Sequence, residues 1–204
     1  MKLLIENQLF ICINAIKDSI KKESITIEQY ETYQKLGFRN KYAIIAASGT
    51  ITLSIPLLKG RNQHTPIREV KICNEQPWQK SHWKTIQYAY NRSPWFEYYK
   101  DSLYVLFRKQ HTFLYDFNWM CWEWCLCQLK YNIPLEETKY WEKHYPKDAF
   151  LDRRNFYSNK NKLDGLHTIK YNQVFEEKLG FIANVSVLDL LFCEGPNSIN
   201  AIIY

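Results

Sequence analysis

Two short apolar runs near the N-terminus, "KLLI" at 2–5 and "SITIE" at 24–28, flank a segment, 9–22, whose apolar residues recur at helical spacing. Strand, helix and strand in that order make a small βαβ unit, and a crossover of this length joins parallel strands. No other feature constrains the chain as much, because it commits the N-terminus to an α/β arrangement. After it, 42–47 and 50–57 are apolar runs around Ser48-Gly49, a dipeptide suited to a tight hairpin turn, and 68–73 ("REVKIC") reads as a further strand. The first 75 residues therefore predict a mixed sheet.

The pattern changes at Pro77, which suits the first turn of a helix. Residues 77–91, 95–109 and 111–131 read as helices, interrupted by Ser93-Pro94 and closed by Asn132-Ile133-Pro134. A polar stretch over 133–168, containing "YSNKNKLDG", reads as a long mobile connection with room for one short helix. In 169–204, "VSVLDLLFCEG" is helical up to the terminator Gly195-Pro196. At 204 residues the chain suits one domain, with its sheet part in 1–75, helical parts in 76–132 and 169–204, and the connection between them. The expected fold class is α/β: a mixed sheet covered by helices from the middle and C-terminal parts.

Cations exceed acids by six, which favours anionic partners without choosing among metabolites, nucleic acid and membrane surfaces. No stretch approaches 18 uninterrupted apolar residues, so no membrane span is expected. Glu6, Asn7 and Gln8 break the first apolar run and no small-residue cleavage site follows, so the N-terminus does not read as a secretory signal. The expected compartment is the cytoplasm, where the six cysteines stay reduced. Aromatics make up 16% of the chain and could serve as stacking platforms for nucleic acid, but most fall at helical core spacing, which counts against that use.

"CWEWCLC", Cys121 to Cys127, invites a zinc reading. At about 100° per residue Cys121 and Cys125 share a helix face while Cys127 points away, so three ligands of one site cannot come from it. With Phe117, Trp119, Met120, Trp122 and Trp124 around them, these cysteines read as packing in a central core helix. No metal and no cofactor is expected. No glycine-rich phosphate loop, metalloprotease helix or nucleophile elbow is present either.

His82 lies on a stripe with Trp78 and Ile86, at i, i+4 and i+8. It is either a buried, hydrogen-bonded imidazole or a general base whose charge can be tuned near neutrality. The segment "YQKLGFRNKY", 33–42, places Lys35, Arg39, Asn40 and Lys41 between a strand end and a hairpin. Ligands of open α/β sheets gather outside the carboxyl ends of the strands. These cations could hold a phosphate or carboxylate that Asn40 orients, or they could form a solvated loop.

Four stretches, "YQKLGFRNKYAI", "SGTITLSIPL", "WQKSHWKTIQYAYNRSPWFEYY" and "FIANVSVLDLLFCEGPN", occur in the order found in the WbqC-like family, which the chain resembles over most of its length. The resemblance implies a cytoplasmic bacterial protein of surface-polysaccharide synthesis, of the O-antigen or lipopolysaccharide type. It singles out Lys35, Asn40, Lys41, His82, Tyr90, Ser93, Asn184, Ser186 and Asp189 as positions matching family motifs. On that basis the expected activity is group transfer to a nucleotide-linked sugar. His82 would be the base or a hydrogen-bond donor, and Asp189 would orient it, bind an amine or hydroxyl, or serve a structural role in the first turn of its helix, while Lys35, Arg39, Asn40, Lys41, Tyr90, Ser93, Asn184 and Ser186 would bind the anionic substrate. The alternative is a non-catalytic binding or assembly protein. It is favoured by departures from the family pattern: "ENQLFICINAIK" where a turn with proline and tyrosine is usual, Lys41 for Arg, Ala183 for Pro and Cys193 for Asn.

Overall fold

The computed structural model describes residues 1–157 and 169–203. β1 (Lys2–Glu6), α1 (Ile13–Ser19) and β2 (Ile25–Glu28) form the expected βαβ unit, with β1 and β2 parallel and Leu3 opposite Ile25 and Ile5 opposite Ile27. All four of these aliphatic side chains are fully buried, as required of strands covered on both faces. The helix is shorter than the 9–22 predicted. Residues 7–12 run instead as a buried irregular passage whose backbone is satisfied from other parts of the chain: Leu9 N–H donates to the Phe38 carbonyl at 2.8 Å and Val187 N–H to that of Ile11 at 2.9 Å.

The expected hairpin forms from β3 (Lys41–Ala46) and β4 (Gly49–Ser54), but its turn is Ala47-Ser48, one residue before the predicted Ser48-Gly49, and Gly49, at φ +109°, pairs with Ala46. It does not join the parallel strands but stands as a separate two-stranded sheet. Other groups occupy backbone positions of β3: the Ala43 carbonyl accepts from Ser186 N–H at 2.9 Å, and Ile45 N–H donates to the Tyr90 hydroxyl at 3.1 Å. The expected mixed sheet is thus two sheets, although the α/β class holds.

The stretch 68–73 is not a strand. It opens with a 3-10 turn at Ile67–Glu69 and then makes only the isolated bridges Leu57 to Ile72 and Lys71 to Phe113. The polar stretch supplies two strands that sequence periodicity passed over, β5 (Leu135–Glu137) and β6 (Phe150–Asp152). Both pair parallel and complete a sheet of order β5-β2-β1-β6. Three residues are too few to show an alternation, and the tertiary partner alone makes them strands. The tract 158–168, which holds most of "YSNKNKLDG", lies outside the described residues.

α2 (Trp78–Tyr90), α3 (Phe96–Phe107) and α4 (Leu114–Gln128) follow, then α5 (Glu176–Leu179), α6 (Val187–Glu194) and α7 (Ser198–Ile203). Cys121 and Cys125 are buried on α4 while Cys127 is exposed, so the "CWEWCLC" stretch packs as a core helix. Burial pushes the Cys121 and Cys125 thiols above their ordinary range. One apolar cluster runs from Leu3 and Ile5 through Trp122 to Leu188 and Phe192. Among the described residues no helix is long and apolar enough to cross a membrane.

Candidate functional site

Each strand of the parallel sheet ends in an acid: Glu6, Glu28, Glu137 and Asp152. Parallel pairing brings those ends to one edge, with Glu6 level with Glu28 and Asp152 level with Leu4, two residues back from Glu6. Glu6, Glu28 and Asp152 therefore project on the same face of the sheet. Glu6 and Glu28 are completely buried, so each needs partners. Glu6 accepts from Gln8 Nε2 at 2.9 Å and from the backbone N–H of Asn155 at 2.7 Å. Glu28 accepts from Tyr30 N–H at 2.9 Å, Thr138 Oγ1 at 3.0 Å and Arg154 Nη1 at 3.0 Å.

Two arginines organise this edge. Arg39, 1% exposed, grips Glu31 with two parallel bonds, Nε to Oε1 at 2.7 Å and Nη2 to Oε2 at 2.5 Å, and reaches Asn155 Oδ1 at 2.8 Å. Such a fork is the strong form of the ion pair. Burial nevertheless holds the Glu31 carboxyl above its ordinary range against the pull of Arg39. Arg154 spans Glu28 and Asp152, the latter through Nη2 at 2.7 Å, and lies over the Tyr145 ring at 4.9 Å.

Above this network opens a cleft of about 680 Å³, lined by the loops that follow β2, β5 and β6. Its floor holds Glu31, Asp152, Arg154 and Asn155, and its rim carries the exposed aromatics Tyr30 and Trp141. A second cleft, of about 630 Å³, shares Thr32 and Gln34 with the first and is cationic, lined by Lys35, Arg61 and His64. Lys35 Nζ is 3.3 Å from Asn62 Oδ1 there.

The ten residues singled out by sequence do not converge. Of them, Lys35 lines the second of these two clefts, and Arg39 works beneath the first. Asn40 is buried, accepting from the Tyr33 hydroxyl and donating to the Ile55 carbonyl, each at 3.0 Å. Lys41 stands opposite Ser54 in the hairpin. His82 is 4% exposed, with Nδ1 3.3 Å from the Tyr42 hydroxyl and Nε2 3.2 Å from the Ser54 carbonyl. Burial lowers its pKa to about 4. A neutral ring that donates from Nε2 and accepts at Nδ1 satisfies both contacts, so both nitrogens are used within the core.

Asp189 lies elsewhere in the core and does not hydrogen-bond His82. Its carboxyl accepts from the Tyr90 hydroxyl at 2.6 Å and the Tyr171 hydroxyl at 2.5 Å. Its pKa rises to about 6 because burial outweighs these neutral donors. Ser93 donates to the Tyr90 carbonyl at 2.8 Å. Ser186 caps α6, accepting from Leu188 N–H at 3.3 Å and donating to the Phe10 carbonyl at 2.9 Å. Asn184 sits at φ +54° with its buried Oδ1 unpaired.

Sequence reasoning missed Glu6, Glu28, Glu31, Asp152, Arg154 and Asn155. A signal existed for three of them: an acid closes the runs "KLLIE", "ITIE" and "FLD". In comparisons with known proteins, the WbqC-like protein family matches residues 22–148 and 134–201. No curated protein and no solved structure matches the chain.

Proposed function

Because the chain belongs to the WbqC-like protein family, and because a cleft of mixed charge, lined by Glu31, Asp152, Lys143 and Arg154, adjoins a cationic one at the edge of its sheet, we propose that it holds a nucleotide-linked sugar during cytoplasmic synthesis of bacterial surface polysaccharide of the O-antigen type. The shared wall at Thr32 and Gln34 carries this reading. A nucleotide-linked sugar has a polyhydroxyl ring joined directly to a diphosphate, so its two ends call for adjoining sites, one with polar groups of both charges and one purely cationic. In the first cleft, Asp152 and Glu31 accept from sugar hydroxyls or an amino group while Trp141 and Tyr30 flank the ring. In the second, Lys35 and Arg61 neutralise the diphosphate, and His64 stands beside them.

The reaction we propose is group transfer to a hydroxyl or amino group of that sugar. Asp152, one-third exposed, is the cleft carboxylate placed to take the acceptor's proton, a role the sealed position of His82 does not suit. A second reading, binding without turnover, is favoured by the state of the two arginines and the histidine. Arg39 and Arg154 spend their donors on protein acceptors, and His82 is enclosed.

Thermal-shift titration with nucleotide sugars, nucleotides and short oligonucleotides tests the binding. At a hundredfold excess over Kd a ligand stabilises by about 2.7 kcal/mol. Nucleotide sugars should raise Tm in the wild type and lose that effect in Lys35→Ala. A shift given only by oligonucleotides, or one that survives Lys35→Ala and Arg61→Ala together, sinks the proposal. Asp152→Asn then separates the two readings, since transfer predicts retained binding with lost turnover.

A further inference from the structure

A third cleft, of about 420 Å³, lies beyond the cationic one and shares Gln63 with it as a wall. Three extended passages form its floor, where Leu57 bridges Ile72 and Lys71 bridges Phe113. Backbone bonds tie them together: Leu58 N–H to the Lys71 carbonyl at 3.0 Å, and Ile72 N–H to that of Thr112 at 2.9 Å. On this floor stand Leu58, 58% exposed, and the half-buried ring of Phe113, with the Lys71 ammonium 5.8 Å from the ring centre. Lys59 and Lys71 supply two cations against the single acid Glu69. An uncovered apolar surface of this size on a tied-down floor, flanked by cations, suits a flat aromatic group attached to an anion.

We propose that this cleft takes the purine or pyrimidine base of the nucleotide whose diphosphate occupies the neighbouring cationic cleft, a reading that rests on the nucleotide-linked sugar assignment above. The order of the clefts carries it. The first cleft shares a wall with the cationic one, the cationic cleft shares another with the one that holds Leu58 and Phe113, and the first and third share none. Sugar, diphosphate and base follow the same order along the ligand. The base stacks on Phe113 against Leu58, and Thr65 and Gln63 present polar groups to its edges. Lys59 and Lys71 add to the positive field around the phosphates.

Calorimetric titration of UDP, GDP, ADP and inorganic pyrophosphate into the wild type, Leu58→Ser and Phe113→Ala tests the assignment. At least one nucleoside diphosphate should bind about tenfold tighter than pyrophosphate, the advantage expected of one stacked base. Phe113→Ala should abolish that advantage and Leu58→Ser reduce it severalfold, while pyrophosphate affinity stays unchanged. Leu58 is largely in solvent, so its variant decides the matter should Phe113→Ala fail to fold. Nucleoside diphosphates binding no better than pyrophosphate, or an advantage untouched by Leu58→Ser, would overturn the base subsite and leave the diphosphate cleft standing. Binding of no diphosphate at all would overturn both.

Discussion

Two groups of buried carboxylates in this protein are stabilised in different ways. At the edge of the parallel sheet, Glu28 and Glu31 meet guanidinium groups, and the network faces a cleft. Around Asp189 the partners are two tyrosine hydroxyls and, at 3.4 Å, the Gln173 amide, all neutral, and the group is sealed in the core. Full countercharges make the sheet edge a charged floor that polar ligands can meet. Neutral donors leave the Asp189 carboxyl with a pKa near 6, which makes it a core fastening between α2, α6 and the 171–173 segment. Burial is alike in Glu28, Glu31 and Asp189, and the charge of the partners together with access to a cleft distinguishes a cleft floor from a fastening.

The largest break in that contrast should come from Arg39→Met. It leaves Glu31 buried without its countercharge, which costs about 3–5 kcal/mol. Urea denaturation measures it, and adding Glu31→Leu should recover most of the loss. A loss under about 1 kcal/mol would mean that the pair is effectively solvated.

The next effect depends on pH. Asp189 has a folded pKa near 6 against 3.8 ordinarily, so the native state holds its proton more tightly. Its contribution to stability is present below about pH 4 and is lost as pH rises through 6. His82 behaves oppositely, with a folded pKa near 4 against 6.5. Its contribution is present above pH 6.5 and is lost as pH falls through 4. Each amounts to something on the order of 3 kcal/mol, so between pH 4 and 6.5 the two should largely cancel. Asp189→Asn should uncover a fall in stability on acidification, and His82→Gln a rise. Parallel pH profiles of the two variants would refute the opposition.

A smaller loss, about 1 kcal/mol, is expected for Ser186→Ala, which removes the cap of α6 and the bond to the Phe10 carbonyl. Smallest of all is Lys35→Ala on an exposed loop. It should move stability by less than about 0.5 kcal/mol while removing the ligand-dependent shift, and thermal melts with and without nucleotide sugar read both.

Much of the local structure was legible before the fold was known. The βαβ unit, the hairpin and the helices at 78–90, 96–107, 114–128 and 187–194 all follow from periodicity and breakers near their observed ends. The cationic loop led to Lys35, which lines a cleft, and to Arg39, which was expected to meet ligand and instead holds Glu31. An arginine's countercharge cannot be read from the neighbouring residues of its own segment, because here the choice depends on how the loop folds back. His82 and Asp189 stood on helical faces that a sequence can identify, but whether such a face meets a cleft or a core is decided by what packs against it.

The sequence alone determined the α/β class, the parallel β1–β2 pair and the buried cysteine helix, because these depend on patterns repeated every two to four residues along one segment. Tertiary structure decided the rest: that β5 and β6 are strands, that the hairpin stands apart, and that acids from 28, 31 and 152 meet arginines from 39 and 154. Those features are pairings between residues up to 149 positions apart, as for Glu6 and Asn155. A burial pattern within one segment shows that a polar group is enclosed, while its partner, and therefore its charge, comes from another part of the chain.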